Sequence, residues 1–434
     1  MKKIVGFLDR MASRYTPDPL VIAILIAALV VVSAIWKTGS VNQPLLSWYE
    51  GFWTLITFTL QMAMMLLCGY TLANTPPVKK LLSQIASRIT SPLSAIMITT
   101  LVSSIACWLN WGFGLVVGAV FALEIGKKLK RINYRLLVAS AYSGFVLWHA
   151  GLSGSIPLLL NTEGNFSFEM LGKILPLSET TFSFFNIALV LLVLLTLFVT
   201  NFFLFRNAGQ EYNELHIPQV SEQEWPENSP AAKINRSKYI LSIVMLLGLG
   251  SLLVKVKQDG FRLDLNSMNY LLLILAMIFH KDMLSFLHTV KEGGKKITPI
   301  LIQYPIYAAI MTVLKDSGLA ASISQFFINI SSADTLPLFS FYSAGLLNLL
   351  VPSGGGQWAV QAPVILPAVQ SLGADLTKSV MAVAWGDAWT NLLQPFWAIP
   401  LLSIANLHIK DILAYCFLFL LSTGMVISLA IMLI

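Results

Sequence analysis

The stretch Val351–Pro363, VPSGGGQWAVQAP, decides how the rest of the chain is interpreted. Three consecutive glycines, Gly354 to Gly356, follow a proline and lie between two strongly apolar runs, with Ser353 and Gln357 at their sides. Each glycine weakens a helix by roughly 1 kcal/mol relative to alanine, and a residue without a Cβ lets a ligand or another backbone approach closely. The run therefore predicts a break between two apolar helices, at a place where a ligand could bind.

The composition is that of a protein that crosses a membrane many times. Of the 434 residues, 56% are hydrophobic and 11% are charged, whereas a soluble domain has about 25% charged residues. The mean hydropathy is +0.74, and long apolar runs recur from Leu20 to the last residue. In such a protein the formal charge of +7 is explained by loops that set the orientation. We therefore expect no nucleic-acid partner.

The residues needed by several other classes of protein are missing. Cys68, Cys107 and Cys416 lie singly in apolar segments, which is typical of buried small side chains and not of disulfides or metal sites. The sequence has no recognisable catalytic set and no GxxxxGK[ST] phosphate loop. We therefore predict neither an enzyme nor a transporter driven directly by ATP, and no cofactor beyond Na⁺ or H⁺ as a coupling ion.

Two apolar stretches are interrupted and predict re-entrant helical hairpins. Pro92–Ile125 is interrupted at Asn110–Gly114, and Leu336–Leu372 is interrupted at Pro352–Gly356. Each half has about 15–18 residues, fewer than the roughly 20 that cross a bilayer. Non-helical backbone at membrane depth needs protein or water around it, so the tips should face an interior site. Nine further segments predict full crossings, at 18–36, 50–74, 135–161, 182–205, 238–256, 266–281, 297–315, 377–405 and 411–433.

The distribution of Lys and Arg predicts the orientation. If the N-terminus lies inside and the hairpins do not cross, the inside segments hold 21 of the 28 Lys and Arg residues and the outside segments hold 7. This three-to-one excess agrees with the positive-inside rule. We therefore predict a cytoplasmic N-terminus, with the polar stretch 206–238 as a cytoplasmic loop.

The chain also repeats itself. The order of elements recurs in its two halves, and the single crossing between the copies would invert the second one. Inverted repeats with broken helices near the midplane are the architecture of many secondary transporters. We predict an all-α fold in three parts: 1–205, a first repeat with hairpin 92–125; 206–256, a loop and linking span; and 257–434, an inverted repeat with hairpin 336–372. The identities under a shift of 242 residues are Gln61 with Gln303, Gly112–Gly114 with Gly354–Gly356, and Gly144 with Gly386.

Polar residues at span depth follow each hairpin, in SGFVLWHAGLSGSIP (143–157) and WGDAWTNLLQP (385–395). N–H groups at helix starts attract a carboxylate, and unwound carbonyls with Ser, Thr or Asn oxygens coordinate Na⁺. The absence of arginine at span depth favours recognition of a monocarboxylate by neutral dipoles. The candidate substrate-binding residues are Asn110, Gly112, Phe113, Gly114, Ser353, Gly354, Gly355, Gly356, Gln357, Trp389 and Asn391, and the candidates for ion or proton coupling are Asp387, His149, Ser143 and Thr390.

Each candidate also has a purely structural interpretation. Small residues such as the glycines allow close helix packing in membranes. An acid deep in an apolar stretch predicts function because it is expensive there, but a buried helix cap would also explain Asp387. His149 is either a hydrogen-bonded structural residue or a proton carrier, and Gln61 and Gln303 fit bridges between helices. The residues alone do not choose between H⁺ and Na⁺.

These motifs resemble those of the short-chain fatty acid transporter family. The resemblance is carried by VPSGGGQWAVQAP, with LNWGFGLVVGA (109–119) and WGDAWTNLLQPFW (385–397) in support, and it covers nearly the whole chain, including RYTPDP (14–19). It implies a bacterial inner-membrane carrier of short monocarboxylates such as acetoacetate, butyrate or acetate. It also implies membership of the ion transporter superfamily, whose better-known members have paired re-entrant hairpins and inverted repeats, and by analogy a homodimer.

We therefore expect a secondary transporter of short-chain carboxylates, coupled to H⁺ or Na⁺. The carboxylate would lie between the two hairpin tips, and its tail would contact Phe113, Trp148 or Trp389. The alternative is a cation/proton antiporter, or a carrier of another small organic anion, on the same architecture. An antiporter should have more acids at mid-depth, where only Asp387 qualifies. The expected partners are the small carboxylate, the lipid bilayer and a second copy of the chain.

Overall fold

The structure is a computed structural model that describes residues 19–129, 131–207, 230–260, 263–349, 351 and 353–434. The predictions that concern 1–17, most of the polar loop 206–238 and Pro352 lie outside the described residues. Within the described ranges every regular element is a helix. This confirms the all-α prediction for that part of the chain.

The helices of the first half are α1 (Pro19–Thr38), α2 (Asn42–Gly51), α3 (Ile56–Ala73), α4 (Pro76–Arg88), α5 (Pro92–Leu109), α6 (Trp111–Lys128), α7 (Tyr134–Ser143), a 3₁₀ segment (Gly144–Ala150), α8 (Ser155–Leu160), α9 (Phe168–Leu171) and α10 (Phe184–Asn207). Those that follow are α11 (Pro230–Asn235), α12 (Lys238–Asp259), α13 (Leu265–Phe279), α14 (Met283–Asp316), α15 (Leu319–Ile330), α16 (Leu336–Asn348), α17 (Gly354–Leu372), α18 (Leu376–Thr390), a second 3₁₀ segment (Asn391–Leu393), α19 (Pro395–Ala405) and α20 (Ile409–Leu433).

Eight helical segments of the described chain are long and apolar enough to cross a membrane: α1, α3, α5, the stretch Tyr134–Leu160, α10, α12, α14 and α20. The sequence predicted nine crossings; two of them are not among these eight, and α5, which is among them, was predicted as the first arm of a hairpin. The predicted crossing 266–281 is α13, whose 15 residues extend about 22 Å at 1.5 Å per residue, less than the roughly 30 Å of a bilayer core. The predicted crossing 377–405 is divided between α18 and α19.

A third predicted crossing begins later than expected. The segment 50–74 is not one helix, since α2 ends at Gly51 and α3 begins at Ile56. The residues between them include Trp53 and Thr54, whose backbone N–H groups bond to carbonyls only three residues earlier. The apolar pattern continues across this turn, which is why the sequence did not show it.

The first break is shorter than the sequence predicted. An interruption over 110–114 was wrong in extent, because α5 ends at Leu109 and α6 begins at Trp111, which leaves only Asn110 outside the helices. The N–H groups of a first helical turn have no intrahelical partner to lose, so glycines are tolerated there. The Asn110 side chain supplies the missing acceptor, since its Oδ1 accepts a hydrogen bond from the Phe113 N–H at 2.8 Å.

The second break lies before the glycines. The prediction of an interruption through Gly356 was wrong, because α16 ends at Asn348 and Gly354–Gly356 form the first turn of α17. Ser353 caps this turn, and its Oγ accepts a hydrogen bond from the Gly356 N–H at 3.3 Å. Both breaks therefore present the capped N-terminus of a helix.

The broken helices lie at the centre of the molecule. In the most apolar window of Tyr134–Leu160, 94% of residues are buried, compared with 17%, 28% and 11% for α1, α10 and α12 at the periphery. Helix α5 packs along α7 and the 3₁₀ segment after it, and α16 packs along α18. Gly144 lies against the backbone of Ser103 and Ser104, and Gly386 lies against the Phe341 carbonyl. Two glycines related by the 242-residue shift thus each pack against the first helix of the predicted hairpin in their own half of the chain.

Candidate functional site

The two interrupted segments contact each other directly. Trp148, in the first 3₁₀ segment, donates from Nε1 to Asn391 Oδ1 in the second at 2.9 Å. The Tyr142 hydroxyl donates to the Asn391 carbonyl oxygen at 2.7 Å. All three residues are buried. The residues that follow the two predicted hairpins therefore meet in one buried cluster, which contains the predicted substrate-binding residue Asn391.

His149 and Asp387 form a buried pair in this cluster. His149 Nδ1 lies 2.7 Å from Asp387 Oδ2, and both residues have no exposed surface. On the other side of the ring, the Ile156 N–H donates to His149 Nε2 at 3.1 Å. Because Nε2 accepts a hydrogen bond, it carries no proton, and the proton of a neutral imidazole is on Nδ1. The arrangement is therefore a neutral histidine that donates to a buried carboxylate.

Three buried side-chain oxygens near this pair have no hydrogen-bond partner among the described residues: Asp387 Oδ1, Asn348 Oδ1 and Gln357 Oε1. The side-chain nitrogens of Asn348 and Gln357 are held by hydrogen bonds to backbone carbonyls. Asn348 Nδ2 donates to the Asp387 carbonyl oxygen at 2.7 Å, and Gln357 Nε2 donates to the Ala344 carbonyl oxygen at 3.0 Å. A buried acceptor without a donor costs about 1–3 kcal/mol. These oxygens could therefore accept a proton, a cation or a water molecule.

The glycine turn of α17 is covered by rings. A Cβ added to Gly354 would lie 2.7 Å from His149 Cε1, and one on Gly355 would lie 2.5 Å from Phe58 Cζ. One on Gly356 would overlap the ring of Tyr307. The turn therefore needs residues without side chains for close packing, and its first glycine touches the histidine of the buried pair.

The start of α6 approaches the same cluster through Trp111. Its ring lies 6.1 Å from that of Trp148, which in turn stacks on His149 at 4.1 Å. The backbone N–H of Trp111 donates a hydrogen bond to Ser153 Oγ at 3.0 Å. The starts of α6 and α17 therefore both reach the Trp148–His149 stack, as expected if a site lies between the two breaks.

Asn110 and Phe113 line a mostly apolar cavity of about 880 Å³, together with leucines of α3, α5 and α13. The Asn110 side chain is buried, and its Nδ2 has no acceptor among the described residues. Gly112 and Gly114 lie elsewhere on this turn, where Gly114 packs against the Cys107 backbone of α5.

Other predicted residues make contacts of a structural kind. Trp389 donates from Nε1 to the Leu420 carbonyl oxygen at 2.7 Å, and its ring lies 4.9 Å from Phe341. The Thr390 hydroxyl donates to the Gly345 carbonyl oxygen at 3.0 Å. The Ser143 hydroxyl donates to the Ser140 carbonyl oxygen of its own helix at 2.8 Å. The roles of these three residues in binding or coupling remain predictions.

The two glutamines contact other residues of the helical core. Gln61 Nε2 donates to Asn266 Oδ1 at 2.8 Å and so joins α3 to α13. Gln303 Oε1 accepts a hydrogen bond from the Tyr307 hydroxyl at 3.5 Å. Gln61 thus bridges two helices, as the structural interpretation expected, whereas the contact of Gln303 lies within α14 and does not.

Several residues of the cluster were missed from the sequence. Asn348 is the single polar residue in the apolar run LLNLLV before the break, and that isolation was a usable signal. Phe58, Tyr304 and Tyr307 carry no comparable signal, because an aromatic residue in an apolar span is usually a packing residue.

Sequence comparison places the chain in a known family. A family model described as "Short chain fatty acid transporter" matches residues 1–434. The chain belongs to this family. The sequence is 38% identical over 430 residues, 98% of both chains, to a protein of Escherichia coli (strain K12). It is 36% identical over 436 residues, again 98% of both chains, to one of Haemophilus influenzae (strain ATCC 51907 / DSM 11121 / KW20 / Rd). Each relative is named "Putative short-chain fatty acid transporter".

The fold of the transporter is similar to that of the Alcanivorax borkumensis YdaH transporter, known from a crystal structure. The TM-score is 0.60 at 14% sequence identity, with 95% of this chain and 98% of that chain covered. At such low identity the likeness concerns the fold alone. The family and the apolar helices together confirm a multi-pass membrane protein that is a transporter and not an enzyme.

Proposed function

We propose that the protein is a secondary transporter that carries short monocarboxylates, such as acetoacetate and butyrate, across the bacterial inner membrane together with H⁺ or Na⁺. The observation that carries the proposal is the buried Asp387 carboxylate, with one oxygen bonded to His149 and the other unpartnered. A transporter of anions has a reason to keep such a group, because its charge makes anion binding depend on a cation.

The substrate carboxylate would bind at the capped helix starts. The backbone N–H groups of Gly112, Gly354 and Gly355 lie in these first turns and are not the ones bound by the capping side chains, and the positive end of a helix dipole favours an anion. The substrate class comes from the family and from the names of the relatives. The rings of Trp148 and Phe113 would contact the short apolar tail.

The coupling follows from the repulsion between two carboxylates. At about 4 Å separation and an effective dielectric constant of about 20, two like charges repel by roughly 4 kcal/mol. A proton or a Na⁺ ion at Asp387 Oδ1 removes most of this repulsion, so the acid and the cation each favour binding of the other. Joint movement of both through the membrane is symport.

Alternating access would come from movement of the two broken helix pairs, α5 with α6 and α16 with α17. Gly114 packs on Cys107 and Gly118 on Ser103, so α5 and α6 run antiparallel, which supports a re-entrant hairpin. The corresponding contacts of Gly144 and Gly386 support the inverted repeat expected of the ion transporter superfamily. We place the N-terminus in the cytoplasm, as the excess of inside Lys and Arg predicts, and expect a homodimer by analogy.

Competition for uptake tests the substrate class. Right-side-out membrane vesicles that contain the protein should take up labelled butyrate faster than vesicles from the same host without it. Unlabelled acetoacetate and butyrate should compete, whereas succinate and citrate should not. The single cation proposed at Asp387 offsets only one negative charge, so a second carboxylate on the substrate would be left without compensation. Equal uptake by both kinds of vesicle, or competition by succinate alone, would contradict the proposal.

A further inference from the structure

A small pocket lies between α3, α6, α14 and α19. It has a volume of about 160 Å³ and is lined by Tyr70 of α3, Trp111 and Gly112 of α6, Lys296 of α14, and Trp397 and Pro400 of α19. We call it the Lys296 pocket. Pockets for drug-sized ligands hold about 300–1,000 Å³, so this one fits a molecule of only a few heavy atoms.

The pocket has a lysine at its wall that forms no ion pair with a described carboxylate. Lys296 is half-buried, and its Nζ lies 5.3 Å from the centre of the Tyr70 ring. The carboxylate one turn earlier, Glu292, is bonded instead to Lys295 at 2.7 Å. No carboxylate of the described ranges lies within ion-pair distance of Lys296.

One wall residue of the pocket, Trp111, also carries a buried donor without an acceptor. The Trp111 side chain is 2% exposed, and its Nε1 has no hydrogen-bond partner in the part of the chain that the structure describes. The remaining walls are apolar and include Leu66, Val116 and Ile399. An ammonium group, an unused N–H donor and an apolar wall are together complementary to a small amphiphilic anion.

We propose that the Lys296 pocket is a second binding site for a short monocarboxylate. The carboxylate would accept hydrogen bonds from Lys296 Nζ and Trp111 Nε1, and the tail would contact Leu66, Val116 and Ile399. A single cation favours one carboxylate over two. The identity of the ligand rests on the proposed function, whereas the site is distinct from the His149–Asp387 pair.

The position of Trp111 indicates what this site does. Its ring lies 6.1 Å from that of Trp148, which stacks on His149. A substrate in the Lys296 pocket is therefore separated from the central cluster by one or two aromatic rings. The pocket would hold the acid immediately before or after it occupies the central site.

Equilibrium dialysis of labelled butyrate against the purified protein in detergent tests this inference. The wild type should bind two butyrates per chain. Lys296→Gln should weaken one of the two sites by about tenfold or more, the loss expected for a hydrogen bond to a charged group, and Trp111→Phe should weaken the same site by about fivefold. The matched control is Lys80→Gln in α4, since Lys80 is exposed and does not line the pocket, and it should leave both sites unchanged.

A neutral analogue separates charge recognition from packing. Butyramide has the same tail without the charge. It should bind to the pocket more weakly than butyrate does, and its affinity should be the same for the wild type and for Lys296→Gln. One butyrate per chain in the wild type, unaffected by either pocket variant, would overturn the second site and leave the proposed function intact. No butyrate bound, together with no uptake in vesicles, would overturn the proposed function itself. If Lys296→Gln fails to fold, Trp111→Phe decides by the same criterion.

Discussion

Gly355, in the first turn of α17, offers the sharpest test of how the candidate site is packed. A Cβ there would lie 2.5 Å from Phe58 Cζ and 3.3 Å from Tyr304 Cε2. Carbon atoms in contact are about 3.5–4.0 Å apart, so the Phe58 ring would have to move by roughly 1 Å for alanine and farther for valine. Phe58 also lines a cavity of about 730 Å³, so its displacement would change the space next to the glycine turn.

The cost can be estimated from overpacking. A side chain forced into a packed core destabilises by about 1–3 kcal/mol. If this cost falls on the packed arrangement that transport requires, then at about 1.4 kcal/mol per factor of ten Gly355→Val should lower the rate of butyrate uptake about fivefold to 150-fold. Gly355→Ala should have a smaller effect, because alanine favours the helix by up to about 1 kcal/mol.

The assay is labelled butyrate uptake into vesicles, divided by the amount of protein in the membrane from a quantitative immunoblot. The control is Gly250→Val in α12, where an added Cβ would meet no atom within 4 Å, and uptake should stay at the wild-type rate. Combining Gly355→Val with Phe58→Leu should restore part of the activity, because the smaller side chain leaves room for valine.

Wild-type uptake by Gly355→Val would show that the glycine turn is not part of the site. Normal membrane insertion with lost uptake, but no recovery in the double variant, would show that Phe58 is not the residue that valine displaces.

Three further predictions concern the neighbouring residues. Asp387→Asn removes the charge that makes anion binding depend on a cation, so uptake should become independent of an imposed ion gradient, and a wild-type response to the gradient would make Asp387 structural. Trp148→Phe keeps the stack on His149 but loses the hydrogen bond to Asn391, worth about 0.5–1.5 kcal/mol, so uptake should fall about fivefold; an unchanged rate would mean that this bond does not position the site. Gly386→Ala forces a methyl group against the Phe341 carbonyl, so thermal unfolding in detergent should occur several degrees lower, whereas Gly294→Ala, which meets no atom within 4 Å, should not change it.

The positions of the helix breaks were predictable because their signals are local. An Asn followed by glycines, and a Ser before a glycine run, are signals for the start of a helix, and α6 and α17 begin at those residues. The extent of the breaks was not predictable from propensity alone. Glycine is unfavourable within a helix, but the first turn at Gly354 is stabilised by a cap and by packing against rings from distant segments.

The buried pair could be predicted as two candidates but not as a pair. His149 and Asp387 are 238 residues apart, and their contact depends on how two interrupted helices cross. A similar reason applies to Trp389, whose hydrogen bond to the Leu420 carbonyl of α20 joins residues of different helices. Which face of a buried helix points to the site is decided by tertiary packing, and the periodicity of a uniformly apolar segment does not record it.

Gradient-driven uptake by the purified protein in liposomes tests most directly whether Asp387 couples anion transport to a cation. Protein-free liposomes measure the passive flux of the neutral acid. With an imposed inward H⁺ or Na⁺ gradient, wild-type liposomes should accumulate labelled acetoacetate or butyrate above this flux, and Asp387→Asn liposomes should not. The absence of any gradient-stimulated uptake of a short carboxylate by the wild type would contradict the account.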